Sequence, residues 1–275
     1  MGARECLRSV PCYLPCRPLR EHGRQGRPRP ACKLAGMTPL KDQVAVITGA
    51  SSGIGAAAAR ELAAAGMKLV LTARRADRLD AMAGELGNAI AFPGDMLDPK
   101  LPQALVDLAV ERYARCDVVL NNAGFMLTGK IETIDIDEVC RMARVNVEAA
   151  YRVAYTALRH FKKAGSGHLV NTSSVLGSKI RTGAGAYAGT KHAIEALSED
   201  LRMEVAGSGV KVSCIEPGIV LTELHDKFEV HPRVSMGIQR PLEPEDIARC
   251  IRFVLEQPAH VCIPRLMVLP AEQAI

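Results

Sequence analysis

Short runs of apolar, often β-branched residues recur along the chain. They alternate with longer segments in which apolar positions return every three or four residues. Short runs bounded by turn residues predict strands buried on both faces, and the 3.6-residue period predicts helices. The strand runs fall at 44–47, 68–72, 89–92, 117–120, 168–172, 210–215 and 265–269, and the helical segments at 56–65, 76–86, 99–114, 134–162, 185–206 and 244–257. Strands alternating with helices predict an α/β fold: a doubly wound, mostly parallel seven-stranded sheet, covered on both faces and joined by right-handed crossovers. Such sheets bind ligands beyond the carboxyl ends of their strands, so the polar residues there are the site candidates.

The first of those ends is a glycine turn, Thr48-Gly49-Ala50-Ser51-Ser52-Gly53-Ile54-Gly55, leading into an alanine-rich helix. Glycines at such a turn let backbone N–H groups approach a pyrophosphate at a helix N-terminus, where unpaired amides and the helix dipole favour anions. The second strand ends Thr72-Ala73-Arg74-Arg75. An acidic residue here would suit the free ribose hydroxyls of NAD; two guanidinium groups suit a 2′-phosphate, which favours NADP(H). The third end, Gly94-Asp95-Met96, places a carboxylate to accept from an adenine amino group. The fourth, Asn121-Asn122-Ala123-Gly124, has amides that tie strand ends together and line the cofactor.

The fifth strand ends Asn171-Thr172-Ser173-Ser174, and thirteen positions after Ser174 stands Tyr187, followed by Lys191 one helical turn on. Residues i and i+4 share a helix face, so phenol and ammonium approach one another. A phenol working near pH 7 needs its pKa of about 10 lowered by roughly three units, about 4 kcal/mol. A cation about 5 Å away at an effective dielectric near 20 supplies on the order of 3 kcal/mol. A positively charged nicotinamide adds to it. Tyr187 then exchanges a proton with a carbonyl or hydroxyl while Ser174 donates to the same oxygen.

Taken together, these motifs resemble the short-chain dehydrogenase/reductase family over residues 40–275, with a Rossmann fold implied. The resemblance rests on the glycine turn, Asn121-Asn122-Ala123-Gly124, Asn146 within Arg144-Val145-Asn146-Val147, Ser174, Tyr187 with Lys191, and Pro217-Gly218-Ile219-Val220-Leu221-Thr222. It implies a proton-relay tetrad: Tyr187 as acid/base, Ser174 positioning the substrate oxygen, Lys191 binding the nicotinamide ribose, and Asn146 holding a water that links Lys191 to solvent. It implies cofactor contacts from Gly49, Ser51, Ser52, Gly53, Ile54, Gly55, Asp95, Met96, Asn122, Ala123, Gly124, Tyr187, Lys191, Pro217 and Gly218, with Val220 and Thr222 holding the nicotinamide carboxamide. Arg74 falls at the family's NADP-selecting position, with Arg75 beside it. Glu216 before Pro217 and the ending Met267-Val268-Leu269-Pro270-Ala271-Glu272-Gln273 are similar to NADP-dependent 3-hydroxy acid (serine-type) dehydrogenases and clavulanate-type reductases. The loop 223–239 then closes over the substrate, and its His225, Lys227, His231 and Arg233, or Lys179 and Arg181 upstream, could meet a carboxylate. The family also implies a homotetramer or homodimer assembled through segments 134–162 and 185–206.

Composition adjusts this picture in two ways. Apolar residues make up 48% and charged residues 24%, as in an ordinary soluble globular protein, and no apolar run is long enough to span a membrane. Formal net charge is +5, but residues 1–36 carry eight Arg and Lys against Glu5 and Glu21, leaving the rest nearly neutral. The basic stretch, crowded with Arg, Pro and Cys, lacks hydrophobic periodicity and a secretory core, so it is expected to be a disordered extension, with Met37 as the functional start of a single domain, 37–275. Nucleic-acid binding would need a folded reader that this stretch lacks. The remaining cysteines show no C-x-x-C and no metal-ligand spacing, which fits reduced thiols in a cytoplasmic enzyme. The expected activity is NADP(H)-dependent interconversion of a carbonyl and a secondary alcohol on a small polar substrate. The alternatives are a same-fold reductase of 3-oxoacyl thioesters or cyclic ketones, and a cofactor-sensing regulator.

Overall fold

Side chains of a strand alternate between its two faces, so a strand that is apolar throughout needs cover on both. The computed structural model, which describes residues 37–226, 228 and 230–274, supplies it. Val44 and Val46 of the first strand join one core with Val70, Val119, Leu169 and Phe161. Ala45 and Ile47 join a second on the opposite face, with Leu69, Leu71, Leu62 and Ile251.

The strands are β1 (Val44–Thr48), β2 (Lys68–Thr72), β3 (Ala89–Ala91), β4 (Val118–Asn121), β5 (Gly167–Thr172), β6 (Val210–Pro217) and β7 (Arg265–Val268). They form one sheet in the order β3-β2-β1-β4-β5-β6-β7, with every neighbouring pair parallel. The helices are α1 (Gly53–Ala64), α2 (Ala76–Leu86), α3 (Leu101–Tyr113), α4 (Ile136–Ala143), α5 (Ala150–Ala164), α6 (Gly185–Glu204), α7 (Pro232–Ser235) and α8 (Pro244–Leu255). The strand order reverses between β1 and β4, and the crevice beyond their carboxyl ends is where such folds receive ligands.

Three departures from the sequence expectation are physical. The first helix begins at Gly53 rather than at residue 56, because two glycines of the turn already form its first turn. The segment expected as one helix over 134–162 is broken by a widened π turn, Arg144–Ala149, between α4 and α5. β6 runs on to Pro217, two residues further than expected, because β7 pairs with it there. The extension 1–36 lies outside the described residues. Among the described residues no helix is long and apolar enough to cross a membrane.

A buried polar ladder fixes the carboxyl ends of the central strands. Asn121 Nδ2 donates to Asn171 Oδ1 at 2.9 Å and to the Ala150 carbonyl at 3.0 Å, and Asn171 Nδ2 donates to Ser198 Oγ at 2.9 Å. β4, β5, α5 and α6 are thereby tied together by bonds whose loss would strand buried amides. On β1, Thr48 Oγ1 accepts from the amides of Asn122 and Ala123 at 2.9 and 3.0 Å, docking the β4 exit against the glycine turn.

Candidate active site

The glycine turn has the features an anion cradle needs. Gly49 and Gly53 have φ of +68° and +53°, a conformation that side chains disfavour. A Cβ on Gly55 would lie 2.3 Å from the Gly49 carbonyl oxygen, so this helix turn closes on backbone alone. Ser52, the N-cap of α1, makes no side-chain cap, and the first turn holds no acidic residue. The amides and dipole of α1 therefore face the crevice without an internal anion, which fits a dinucleotide pyrophosphate.

A single cavity of about 790 Å³ runs from this turn past the ends of β2, β4, β5 and β6. Gly49, Ser51, Ser52, Gly53, Ile54, Arg74, Arg75, Asp95, Met96, Asn122, Ala123, Gly124, Ser174, Tyr187, Lys191, Pro217, Gly218, Val220 and Thr222 all line it. Gly55 and Asn146 are expected site residues that stand behind the wall, shaping it without facing it.

At one end the β2 exit supplies two cations, Arg74 exposed and Arg75 half-buried. Arg74 lines the cavity and makes no side-chain hydrogen bond among the described residues. Arg75 donates to Ser51 Oγ through Nε and Nη2, at 3.1 and 3.0 Å, and to Ser52 Oγ at 2.7 Å. Its Nη1 donates to Glu223 Oε2 at 2.6 Å, and Arg78 reaches the other oxygen of the same carboxylate. The two guanidinium groups hold the Glu223 carboxyl down to about 2. Asp95 uses Oδ1 to accept from the Leu97 amide at 3.0 Å, a turn that leaves its other oxygen available.

In the middle sit the acid/base candidates. Tyr187 and Lys191, on the first two turns of α6, are both buried, and the lysine nitrogen lies 5.8 Å from the tyrosine ring centroid. Lys191 Nζ donates to the Thr172 carbonyl at 2.9 Å, and the Thr172 hydroxyl beside it is buried without a partner. Ser174 Oγ accepts from the Leu176 amide at 3.1 Å and lines the cavity with the tyrosine. The expected lowering of the tyrosine pKa by Lys191 is not found: burial pushes Tyr187 up to about 12, only partly opposed by Ser174. Burial also lowers Lys191 to about 8, which leaves it mainly cationic at pH 7. Desolvation outweighs the helix-face pairing because the ammonium is directed at a carbonyl rather than at the phenol oxygen.

Asn146 lies in the π turn, and its amide is fully committed. Oδ1 accepts from the Phe125 amide at 3.0 Å, while Nδ2 donates to the Phe125 carbonyl at 2.9 Å and to Thr190 Oγ1 at 3.2 Å. The side chain clamps the β4 exit against α6 and makes no bond to Lys191.

The far end is partly apolar, with Met126, Leu127, Leu176 and Leu224 around Tyr187. Polar groups among it are Lys179, Arg181, Arg141 and His225. Arg181 Nη1 approaches Met236 Sδ at 3.2 Å, and Arg141 pairs with Glu138 over the Phe125 ring. His225 is buried with Nδ1 unpartnered, its pKa pushed down to about 4 mainly by that burial, and its ring meets His231 edge-on at 5.0 Å. His231 and Arg233 flank the loop without lining the cavity. Of the loop residues expected near a substrate carboxylate, Lys227 lies outside the described residues. Among the wall residues without a role in the sequence reading is Gln273, whose Oε1 accepts from the Ile219 amide at 2.9 Å and fills the space beside Gly218. Its position after β7 gives no local signal of a contact 54 residues away.

A family model described as short chain dehydrogenase matches residues 43–232. An uncharacterized oxidoreductase of Staphylococcus aureus (strain USA300) is 35% identical over 236 residues, covering 85% of this chain and all of the relative. The closed form of a serine dehydrogenase complexed with NADP+ superposes with a TM-score of 0.80 at 27% identity, covering 85% of this chain and 97% of that one. A 3-ketoacyl-(acyl-carrier-protein) reductase from Brucella melitensis complexed with NADH gives 0.78 at 28% identity, covering 86% and 100%.

Proposed function

Because the chain belongs to the short-chain dehydrogenase family, and is an oxidoreductase that holds a dinucleotide cofactor, we propose that it moves hydride between NADP(H) and a carbonyl/secondary alcohol on a small polar substrate. The observation that carries this reading is the unbroken cavity from Arg74 and Arg75, past the glycine turn, to Ser174 and Tyr187. The arginines favour the 2′-phosphate, and NADP+ in the serine dehydrogenase structure agrees with that choice. When bound, the nicotinamide ring accepts or donates the hydride and, oxidised, adds a positive charge.

Tyr187 gives its proton to the carbonyl oxygen in reduction and takes it back in oxidation. Ser174, on the same cavity wall, donates to the same oxygen and steadies the charge that develops there. Lys191 supplies a buried cation and holds the ribose hydroxyls. Asn146 is a positioning residue: its amide keeps the β4 exit and α6 at a fixed separation. Asp95 and Met96 receive the adenine, and Val220 and Thr222 the carboxamide. The cations Lys179 and Arg181 beside the acid/base group favour a substrate carrying a carboxylate, such as a 3-hydroxy acid. The apolar patch of Met126, Leu127, Leu176 and Leu224 supports a second substrate class, 3-oxoacyl thioesters. We place the enzyme in the cytoplasm; its assembly as a homodimer or homotetramer is supported by exposed Ile136, Tyr155 and Met203 on α4, α5 and α6.

The test is a set of initial rates with NADP+ and NAD+ across short 3-hydroxy acids, with neutral alcohols as controls. Turnover of the acids with NADP+ is expected. Turnover of neutral alcohols alone would remove the carboxylate reading and leave the acid/base assignment standing, whereas tight NADPH binding with no turnover of any carbonyl would point to a sensor.

A further inference from the structure

Glu223 lines the arginine end of the cavity, next to Thr222 and at the start of the loop 223–239. Both its oxygens are occupied: Oε2 accepts from Arg75 Nη1 at 2.6 Å and Oε1 from Arg78 Nη1 at 2.5 Å. Arg75 meanwhile holds the hydroxyls of Ser51 and Ser52 in the glycine turn. A carboxylate shared by two guanidinium groups beside two serine hydroxyls has the charge sign and acceptor pattern of a phosphate monoester. No other acid approaches Arg75 or Arg78 among the salt bridges of the described residues.

We infer that Glu223 is a built-in counter-anion occupying the arginine seat of the adenosine 2′-phosphate, which the phosphate displaces, so that this residue sets the strength of the preference for NADP(H) over NAD(H). The inference rests on the NADP(H) reading above. The side chains are between a third and a half exposed, so each ion pair is weak and solvent-screened, and a phosphate with nearly two charges outcompetes it. Arg78, one turn along α2 from Arg75 and outside the cavity wall, becomes a second phosphate partner once the carboxylate leaves. A cofactor without the phosphate leaves the pairs intact. The displaced residue opens the short turn Glu223–His225, whose Leu224 and His225 line the far half of the cavity.

The experiment is calorimetric titration of the full chain with adenosine 2′,5′-bisphosphate and NADP+, against 5′-AMP and NAD+ as phosphate-free controls. It uses wild type, Glu223→Gln, Arg78→Ala and the double variant, with melting curves to check that all are folded. Glu223→Gln is expected to tighten both phosphate-bearing ligands about five- to tenfold and to leave both controls within about twofold. Adding Arg78→Ala to it should cancel most of that gain. Unchanged binding of the bisphosphate by Glu223→Gln would overturn the inference, and so would weaker binding, which would make Glu223 an organiser of Arg75 instead. In either case a wild-type preference for the bisphosphate over 5′-AMP would keep the NADP(H) reading alive. If neither wild type nor Glu223→Gln distinguishes the bisphosphate from 5′-AMP, the NADP(H) reading falls, and the inference with it.

Discussion

At the scale of single residues, the chemistry is set by where burial and charge disagree. Tyr187 is held neutral by burial far above physiological pH, so as the free protein it is an acid ready to donate. Its use as a base depends on a positive charge arriving with the oxidised cofactor. Tyr187→Phe removes the proton and nothing else of size. Turnover should fall by about 100- to 10,000-fold while NADPH affinity, read by fluorescence titration, stays nearly the same. Rates of oxidation should rise with pH, where reduction holds or declines, since only oxidation needs the phenolate. Arg74→Ala with Arg75→Ala should weaken NADPH at least about tenfold and NADH much less. Equal losses for both cofactors, in the same titration, would refute the phosphate assignment. Much of this was legible: Tyr187, Ser174, Lys191 and the arginines stand in short, local motifs. What local motifs could not show was the sign of the tyrosine's shift, because desolvation depends on every neighbour that covers the ring.

At the scale of elements, glycine positions carry the most specific expectations. Gly55→Ala would drive a Cβ into the Gly49 carbonyl, so either the turn opens or α1 shifts. A loss of about 1–3 kcal/mol in denaturant unfolding is expected, with dinucleotide binding lost alongside. Gly167→Ala meets the Phe161 ring at 2.2 Å at the amino end of β5, the end away from the cavity. It should destabilise comparably in the same unfolding experiment while leaving NADPH affinity of the folded fraction intact. The strands were visible within one or two residues because continuous apolar, β-branched runs bounded by turn residues are local signals. The π turn was not, because it answers to contacts made far along the chain. Its contribution is to present Asn146 to Phe125 and Thr190, contacts 21 and 44 residues away.

At the scale of the whole molecule, stability and catalysis make opposite demands on buried ionisable groups. His168, buried against Ser213 Oγ at 2.9 Å, is pushed down to about 3 by burial, with Lys211 adding to it. The unfolded chain takes up this proton near pH 6.5 and the native state does not, so stability is lost as pH falls below about 6.5. The slope approaches about 1.4 kcal/mol per pH unit. Melting temperatures of wild type between pH 7 and 4 should fall more steeply than those of His168→Gln, and parallel curves would reject the assignment. The alternation of strands and helices made the architecture legible from the chain alone. The pairing of Arg75 with Glu223 was not, since charges 148 residues apart leave no trace in spacing.

The ladder of Asn121, Asn171 and Ser198 binds strand ends and helices that carry the acid/base groups, and none of its bonds reaches the segment 223–239. The segment's hydrogen bonds are thus separate from the ladder that aligns the strand ends. A replacement for that segment taken from a relative, if grafted between Thr222 and Arg240, inherits a reaction centre already aligned, and selection on such a chain can explore new substrates without having to rebuild the step that transforms them.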